Sequence, residues 1–370
     1  MGLTALQVQG EGLHAAAVGE YRGATIAVRF GDPQAELAAL RNGCGVYDLG
    51  YRAKISLTGG DRVRWLNGMV TNNIRDLQPG QGSYAFLLNP QGHILGDLYA
   101  YNRGESIMVD TDRSQVDKIL ATFDHYIIMD DVEVKNLSDE MTALGIGGPK
   151  SRQMLTAAGI QIPDAGLPLQ VFEAKCTCNC DCVSCIGVRS DDPAIESYEL
   201  WLAPGDVRKT WDALVEQGAT PVGSDALELH RIVSGIPRFG VDIRERDLPQ
   251  ETEQARALNF NKGCYIGQEI VERIRSRGAV HRKFSGFLAD AEAAIAAGAK
   301  IAAGEKEVGE VTSVASLPRQ KTVVLGYIRR EVATPGREIT IGTAKAKVVS
   351  LPVDVELLVR DESALERHLA

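Results

Sequence analysis

The sequence predicts an α+β protein of more than one domain that closes with a small antiparallel β-barrel or sandwich. Three observations lead there. The chain has 370 residues, more than one compact core ordinarily organises. Helix-like and strand-like stretches alternate through its first 278 residues. From Phe284 onward the pattern becomes short strands divided by Gly- and Pro-bearing turns.

In the first part, 54–57 reads as a strand. Residues 61–69 (DRVRWLNGM) read as a helix with Val63, Leu66 and Trp65 on its buried face. Residues 84–88 and 94–102 form a hairpin, because Asn89-Pro90-Gln91-Gly92 places Asn, Pro and Gly where a type I turn wants them. Helices are expected over 114–123, 151–158, 207–217, 227–233 and 267–276, and a strand over 132–134. In the second part the strands read FSGFLA, KIAA, EVGEVTSVA, TVVLGYIR, EITI and AKVVSL. The boundary falls near residue 279.

Composition narrows the class. Hydrophobic residues make up 44% and charged residues 24% of the chain, ordinary for a globular protein. Forty basic against 49 acidic side chains leave a charge of −9, which argues against nucleic acid as a partner. The opening MGLTALQVQGEGLHAAAVGEYRG has no basic region before an apolar core, so no secretory signal is read. Met1-Gly2 begins like a myristoylation site, but Leu6 stands where Ser or Thr is needed. No run of about 18 apolar residues predicts a membrane span. Seven cysteines, not spaced as a disulfide scaffold, suggest a reducing cytoplasm.

Three segments carry candidate chemistry. On the second hairpin strand, side chains alternate faces. Asp97 therefore shares a face with His93, Leu95, Tyr99 and Tyr101. A carboxylate between tyrosines can hold the N–H edge of a flat heterocycle while the rings stack on it; a solvent-facing strand of mixed polarity would show the same pattern. The segment NFNKGCYIGQEIVERIRSRG sets Cys264 before a helix N-terminus and two residues after Lys262. Dipole and ammonium together would favour a thiolate, making Cys264 a reactive thiol, a ligand, or simply a packed cysteine. Lys262, Arg273, Arg275, Arg277, Arg282 and Lys283 form a basic cluster that suits an anion or a solvated helix face. Cys176, Cys178, Cys180 and Cys182 alternate, followed by Cys185. Alternate strand residues lie roughly 6.6 Å apart, so one tetrahedral metal cannot use them all. Only Cys182 and Cys185 make a local pair, and a strand face of small apolar cysteines fits as well.

Lys262-Gly263-Cys264-Tyr265-Ile266-Gly267-Gln268-Glu269 resembles the K-G-C-Y-x-G-Q-E signature of the YgfZ family of folate-binding proteins, relatives of the glycine-cleavage T-protein. The 45–101 stretch, IGGPKS, ALELHRIVSGIPRFGVDIRERDLPQET, VGEVTSVASLP and VVLGYIRRE resemble T-protein blocks in the same order. The resemblance implies a T-protein-like arrangement around a central folate-binding hole. Its expected domains are 1–50 with 135–225, 51–134 with 226–278, and a barrel over 279–370. It implies tetrahydrofolate or a one-carbon derivative as cofactor, with Asp97 and Cys264 as the chemical groups. Tyr84, Asp97, Tyr99, Tyr101, Arg231, Lys262, Tyr265 and Gln268 are its expected contacts. A YgfZ-like protein would assist iron–sulfur protein maturation or repair, with iron–sulfur assembly or client proteins as partners. A T-protein proper would be an aminomethyltransferase or demethylase. The sequence departs from T-proteins in having Gly96-Asp97 for an Asp-Asp pair and Asp110 for an asparagine. RSDDPAIESYEL replaces the R-T-G-Y-T-G-E-D-G block, with Ile195 at the pterin-binding glutamate and Glu196 one residue on.

Overall fold

The structure is a computed structural model of the chain and describes residues 2–163, 166–176, 184–278, 280–290, 294–317 and 321–354. By contact the chain forms two units, one of residues 1–91, 95–227 and 256–268, the other of residues 92–94, 228–255 and 269–370.

The first unit holds two larger sheets. The five-stranded sheet runs in the order Gly82–Leu88, Ile94–Asn102, Ile107–Asp112, Arg52–Thr58, Glu133–Asn136. Ile55, Leu57, Leu98, Ala100 and Val109 are fully or almost fully buried and pack beneath helices Arg62–Met69 and Val116–Tyr126. The second helix presents Val116, Ile119 and Phe123 inward, the three- and four-residue spacing of an amphipathic helix. Phe123 meets Trp65 edge-on at 5.1 Å. Burying one such side chain contributes about 2–3 kcal/mol. In Arg62–Met69 it is Trp65 and Leu66 that are buried, whereas Val63 is only partly so.

The seven-stranded sheet runs Ile160–Gln161, Val171–Cys176, Ser184–Arg189, Ser197–Leu202, Thr142–Gly147, Gly45–Asp48, Thr220–Val222. Only the last pair is parallel. Helix Val207–Glu216 covers it with Val207, Trp211 and Leu214. Gly145 is obligatory there, since a Cβ would lie 1.9 Å from the Tyr47 ring.

In the second unit the six expected strands close into a barrel: Arg282–Ala289, Thr322–Arg329, Lys306–Ser316, Lys300–Ala303, Glu338–Ile341, Ala344–Val349. Closure leaves no unpaired edge. Phe287, Ile301, Val324, Ile328 and Val348 fill its interior. The helix expected from residue 267 starts at Gln268, because Gly267 takes a left-handed φ of +80° and so precedes it. No helix among the described residues is long and apolar enough to cross a membrane.

Candidate active site

Asp97 lies in the middle of strand Ile94–Asn102, whose burial alternates as the pleat requires. Its carboxylate is half-buried and held from both sides. The Tyr84 hydroxyl donates to Oδ2 at 2.7 Å and Gln115 Nε2 donates to Oδ1 at 2.8 Å. Gln115 also accepts the Asp97 backbone N–H at 3.0 Å. Gly96 makes this possible: a Cβ there would come within 2.9 Å of the Gln115 Oε1. Burial, with the neighbouring Asp112 charge, pushes the Asp97 carboxyl above the usual carboxylate range. The bonds from Gln115 and Tyr84 and the charge of Arg52 pull the other way.

The aromatic strip predicted around Asp97 exists, though not all of it is accessible. Tyr84 and Tyr99 meet at 4.9 Å, and Tyr99 and Tyr101 stack at 6.2 Å. Tyr101 is 1% exposed and lies edge-on to Trp201 at 5.2 Å, so it supports the strip from within the core. Tyr99 is half-buried and donates its hydroxyl to Asp191 at 3.3 Å. Arg256, which the sequence did not single out, lies over Tyr84 at 4.3 Å and over Tyr99 at 6.0 Å, and pairs with Asp191.

Beneath the strip runs a charge network built by strand register. Arg52 stands opposite Asp112, and Lys54 opposite Asp110. Arg52 donates to Asp110 at 3.0 Å and to Asp112 at 2.7 Å. Lys54 is wholly buried, 3.1 Å from Asp110, 4.0 Å from Glu199 and 4.7 Å from the Trp201 ring centre. Glu199 accepts the Trp201 indole N–H at 2.9 Å. Burial and the Asp110 charge raise its carboxyl, against Lys54 and Arg52. The glutamate that reaches this network is therefore Glu199, on strand Ser197–Leu202. Glu196 instead accepts from the Tyr198 hydroxyl and from Arg152.

The Cys264 segment is pinned. Cys264 is exposed. Lys262 is 6% exposed and donates to the carbonyls of Asn67, Val70 and, at 2.7 Å, Asn72. An ammonium has three N–H bonds, so none remains for a ligand. Burial, reinforced by the Arg75 charge, pushes Lys262 down to about 7. The ring of Tyr265, 8% exposed, lies 4.9 Å from the ammonium. The Tyr265 backbone N–H donates to Gln268 at 3.3 Å, and that of Ile266 to Gly68 at 3.1 Å. Asn72 joins this loop to the strip: its Nδ2 donates to the carbonyls of Tyr84 at 2.8 Å and Arg256 at 2.7 Å.

Arg231 belongs to the other unit, 5% exposed. Its guanidinium engages Glu228, Asp242, Ser313 and the Ile236 carbonyl, which occupies its donors. In the basic cluster, Arg273 pairs with Glu269, Arg275 with Glu272, Arg282 with Asp247 and Glu251, and Lys283 with Glu253. Cys178, Cys180 and Cys182 lie outside the described residues. Cys185 is buried in strand Ser184–Arg189, its thiol directed at the Ala174 carbonyl. Among the described residues no group of three or more metal-ligating side chains comes together. Two clefts of about 960 and 680 Å³ open on the second unit, and neither is lined by Asp97 or Cys264.

A raised, half-buried carboxyl on an aromatic strip, in an α+β chain that ends in a closed barrel, marks Asp97 as the candidate acid–base group of the chain. Residues 12–262 match the GCVT N-terminal domain, and residues 282–354 match the glycine cleavage T-protein C-terminal barrel domain. The chain belongs to the glycine cleavage T-protein family. It is 27% identical over 337 residues to an aminomethyltransferase of Rubrobacter xylanophilus, covering 90% of this chain and 89% of that one. It is 28% identical over 347 residues to an aminomethyltransferase of Halothermothrix orenii, with 90% and 94% covered. A putative chloroplastic transferase of Arabidopsis thaliana is 27% identical over 329 residues, with 87% and 73% covered. The crystal structure of glycine cleavage system aminomethyltransferase T from Bartonella henselae has the same fold. Its TM-score is 0.84 at 22% identity, over 97% of this chain and 99% of that one.

Proposed function

We propose that the chain binds tetrahydrofolate and is a one-carbon transferase of the aminomethyltransferase type, with Asp97 as its acid–base group. The setting of Asp97 carries this reading. A carboxyl raised by burial, fixed by Tyr84 and Gln115, is poised to hold a folate amine, take its proton as that nitrogen attacks the transferred carbon, and pass the proton to the donor group whose bond to that carbon breaks. The relatives named aminomethyltransferase support it.

Titration of wild type and Asp97→Ala with tetrahydrofolate and its methylene and formyl forms tests the binding. The expected result is micromolar binding weakened by about 10- to 100-fold in the variant, the scale of one charged hydrogen bond. Absence of transfer from an aminomethyl-lipoyl donor at a saturated folate site ends the enzymatic reading.

A second reading rests on the Lys262–Glu269 signature and the exposed, pinned Cys264. In it the protein is a YgfZ-like factor that uses folate and a thiol in iron–sulfur protein maturation. Loss of iron–sulfur enzyme activity in cells carrying Cys264→Ser, with transfer unaltered, favours this reading. Full function of that variant removes it.

A further inference from the structure

Tyr84 has no open face. It is 4% exposed, its hydroxyl is held by Asp97, and its ring is flanked by Phe86 at 5.6 Å, Tyr99 at 4.9 Å and the Arg256 guanidinium at 4.3 Å. Phe86 is fully buried and Tyr99 stands on the adjacent strand of the sheet. Arg256, with its side chain 38% exposed, is the neighbour that can leave into water. Its backbone cannot follow. The Arg256 carbonyl accepts from Asn72 at 2.7 Å, and the next carbonyl, of Ala257, accepts from the Thr71 hydroxyl at 2.6 Å.

The guanidinium is clamped on its other side by Asp191, whose side chain is 17% exposed and also receives the Tyr99 hydroxyl. An arginine that swings off Tyr84 therefore leaves Asp191 behind and enters water without its anion. Stack and ion pair together favour the closed state by a factor on the order of 10 to 100.

We propose that Arg256 is the specificity-determining residue of the strip. It admits a flat heterocycle only when that ring is tethered to a carboxylate. The ring takes the guanidinium's place on Tyr84, and the carboxylate takes Asp191's place as counter-ion. This deepens the tetrahydrofolate reading and rests on it: the recognised class is a reduced pterin carrying an acidic tail, and the tail charge is read through Arg256.

The test is calorimetric titration of wild type, Arg256→Ala and Arg256→Gln with two probes, tetrahydrofolate and its glutamate dimethyl ester, which keeps every ring and removes only the tail charge. Wild type is expected to bind the ester at least 10-fold more weakly. In Arg256→Ala the two affinities should converge to within about 2-fold, with the ester binding more tightly than it does to wild type. Arg256→Gln, which keeps the length of the side chain without its charge, should show the same convergence and stands in if the alanine variant fails to fold. An unchanged affinity ratio in a folded variant that binds tetrahydrofolate overturns the role of Arg256 and leaves the folate reading standing. Failure of wild type and both variants to bind either probe overturns both.

Discussion

Tyr84 and Asp97 share an O–H···O bond of 2.7 Å between neighbouring strands, and the same carboxylate takes a 2.8 Å bond from Gln115. The acid is thus oriented before any ligand arrives, and its environment keeps the proton closer to neutral pH than a free aspartate would.

Asp97→Asn keeps the shape and removes the titration. Folate-dependent transfer should fall by at least about 100-fold in single-turnover measurements, the lower bound for a lost acid–base group, while the thermal midpoint moves little. A loss below tenfold would assign Asp97 to binding alone.

Asp48 gives the first unit a pH-dependent stability. It is 5% exposed, accepts from the Thr4 hydroxyl and the Gly50 N–H, and is pushed up to about 6 mainly by burial. The folded state therefore holds this proton more tightly than the unfolded chain, whose aspartate titrates near 3.9. The contribution is complete below about pH 4 and is lost as pH rises through about 6, on the order of 2–3 kcal/mol. Urea unfolding of wild type and Asp48→Asn between pH 4.5 and 7.5 should show their stability difference shifting against wild type. A pH-independent difference contradicts this.

Lys54→Met leaves the Asp110 carboxylate buried with Arg52 as its remaining cation. Breaking a buried pair typically costs about 3–5 kcal/mol. The double change Lys54→Met with Asp110→Asn should recover much of it. Chemical denaturation of the two single variants and the double variant reads the coupling directly.

Lys262→Met removes the three bonds that fasten the cysteine loop to the carbonyls of Asn67, Val70 and Asn72. Amide exchange over 263–267 should accelerate by at least tenfold, and alkylation of Cys264, followed by peptide mass spectrometry, should change in rate. Unaltered exchange would mean that the Ile266–Gly68 bond suffices.

The barrel was legible in the sequence because its strands follow one another closely with Gly- and Pro-bearing turns between them, and the hairpin carrying Asp97 because its turn chemistry and alternation agree. Strand Ile107–Asp112 was not. All six of its residues are buried, yet nothing local foretells the burial of Asp110, Thr111 and Asp112, which depends on Arg52 and Lys54 standing opposite them. Cross-strand register is a long-range fact. Arg256 was missed for the same reason: nothing local marks an arginine whose significance is the tyrosine 172 positions earlier. Glu199 differs: the resemblance to T-proteins points to Ile195 and Glu196, a few residues before it. Its partner was visible two residues on, since Glu199 and Trp201 share a strand face.

Asn72 joins two segments through its side chain and a third through its main chain. Both bonds from its amide nitrogen end on carbonyl oxygens, those of Tyr84 and Arg256, and its own carbonyl receives Lys262. Aspartate would set like charge against those acceptors, and serine or threonine would bring one hydrogen where two are used. A side-chain change at position 72 therefore releases the backbones of Tyr84 and Arg256 from each other in one step, while the Lys262 bond, made to the main chain, remains available.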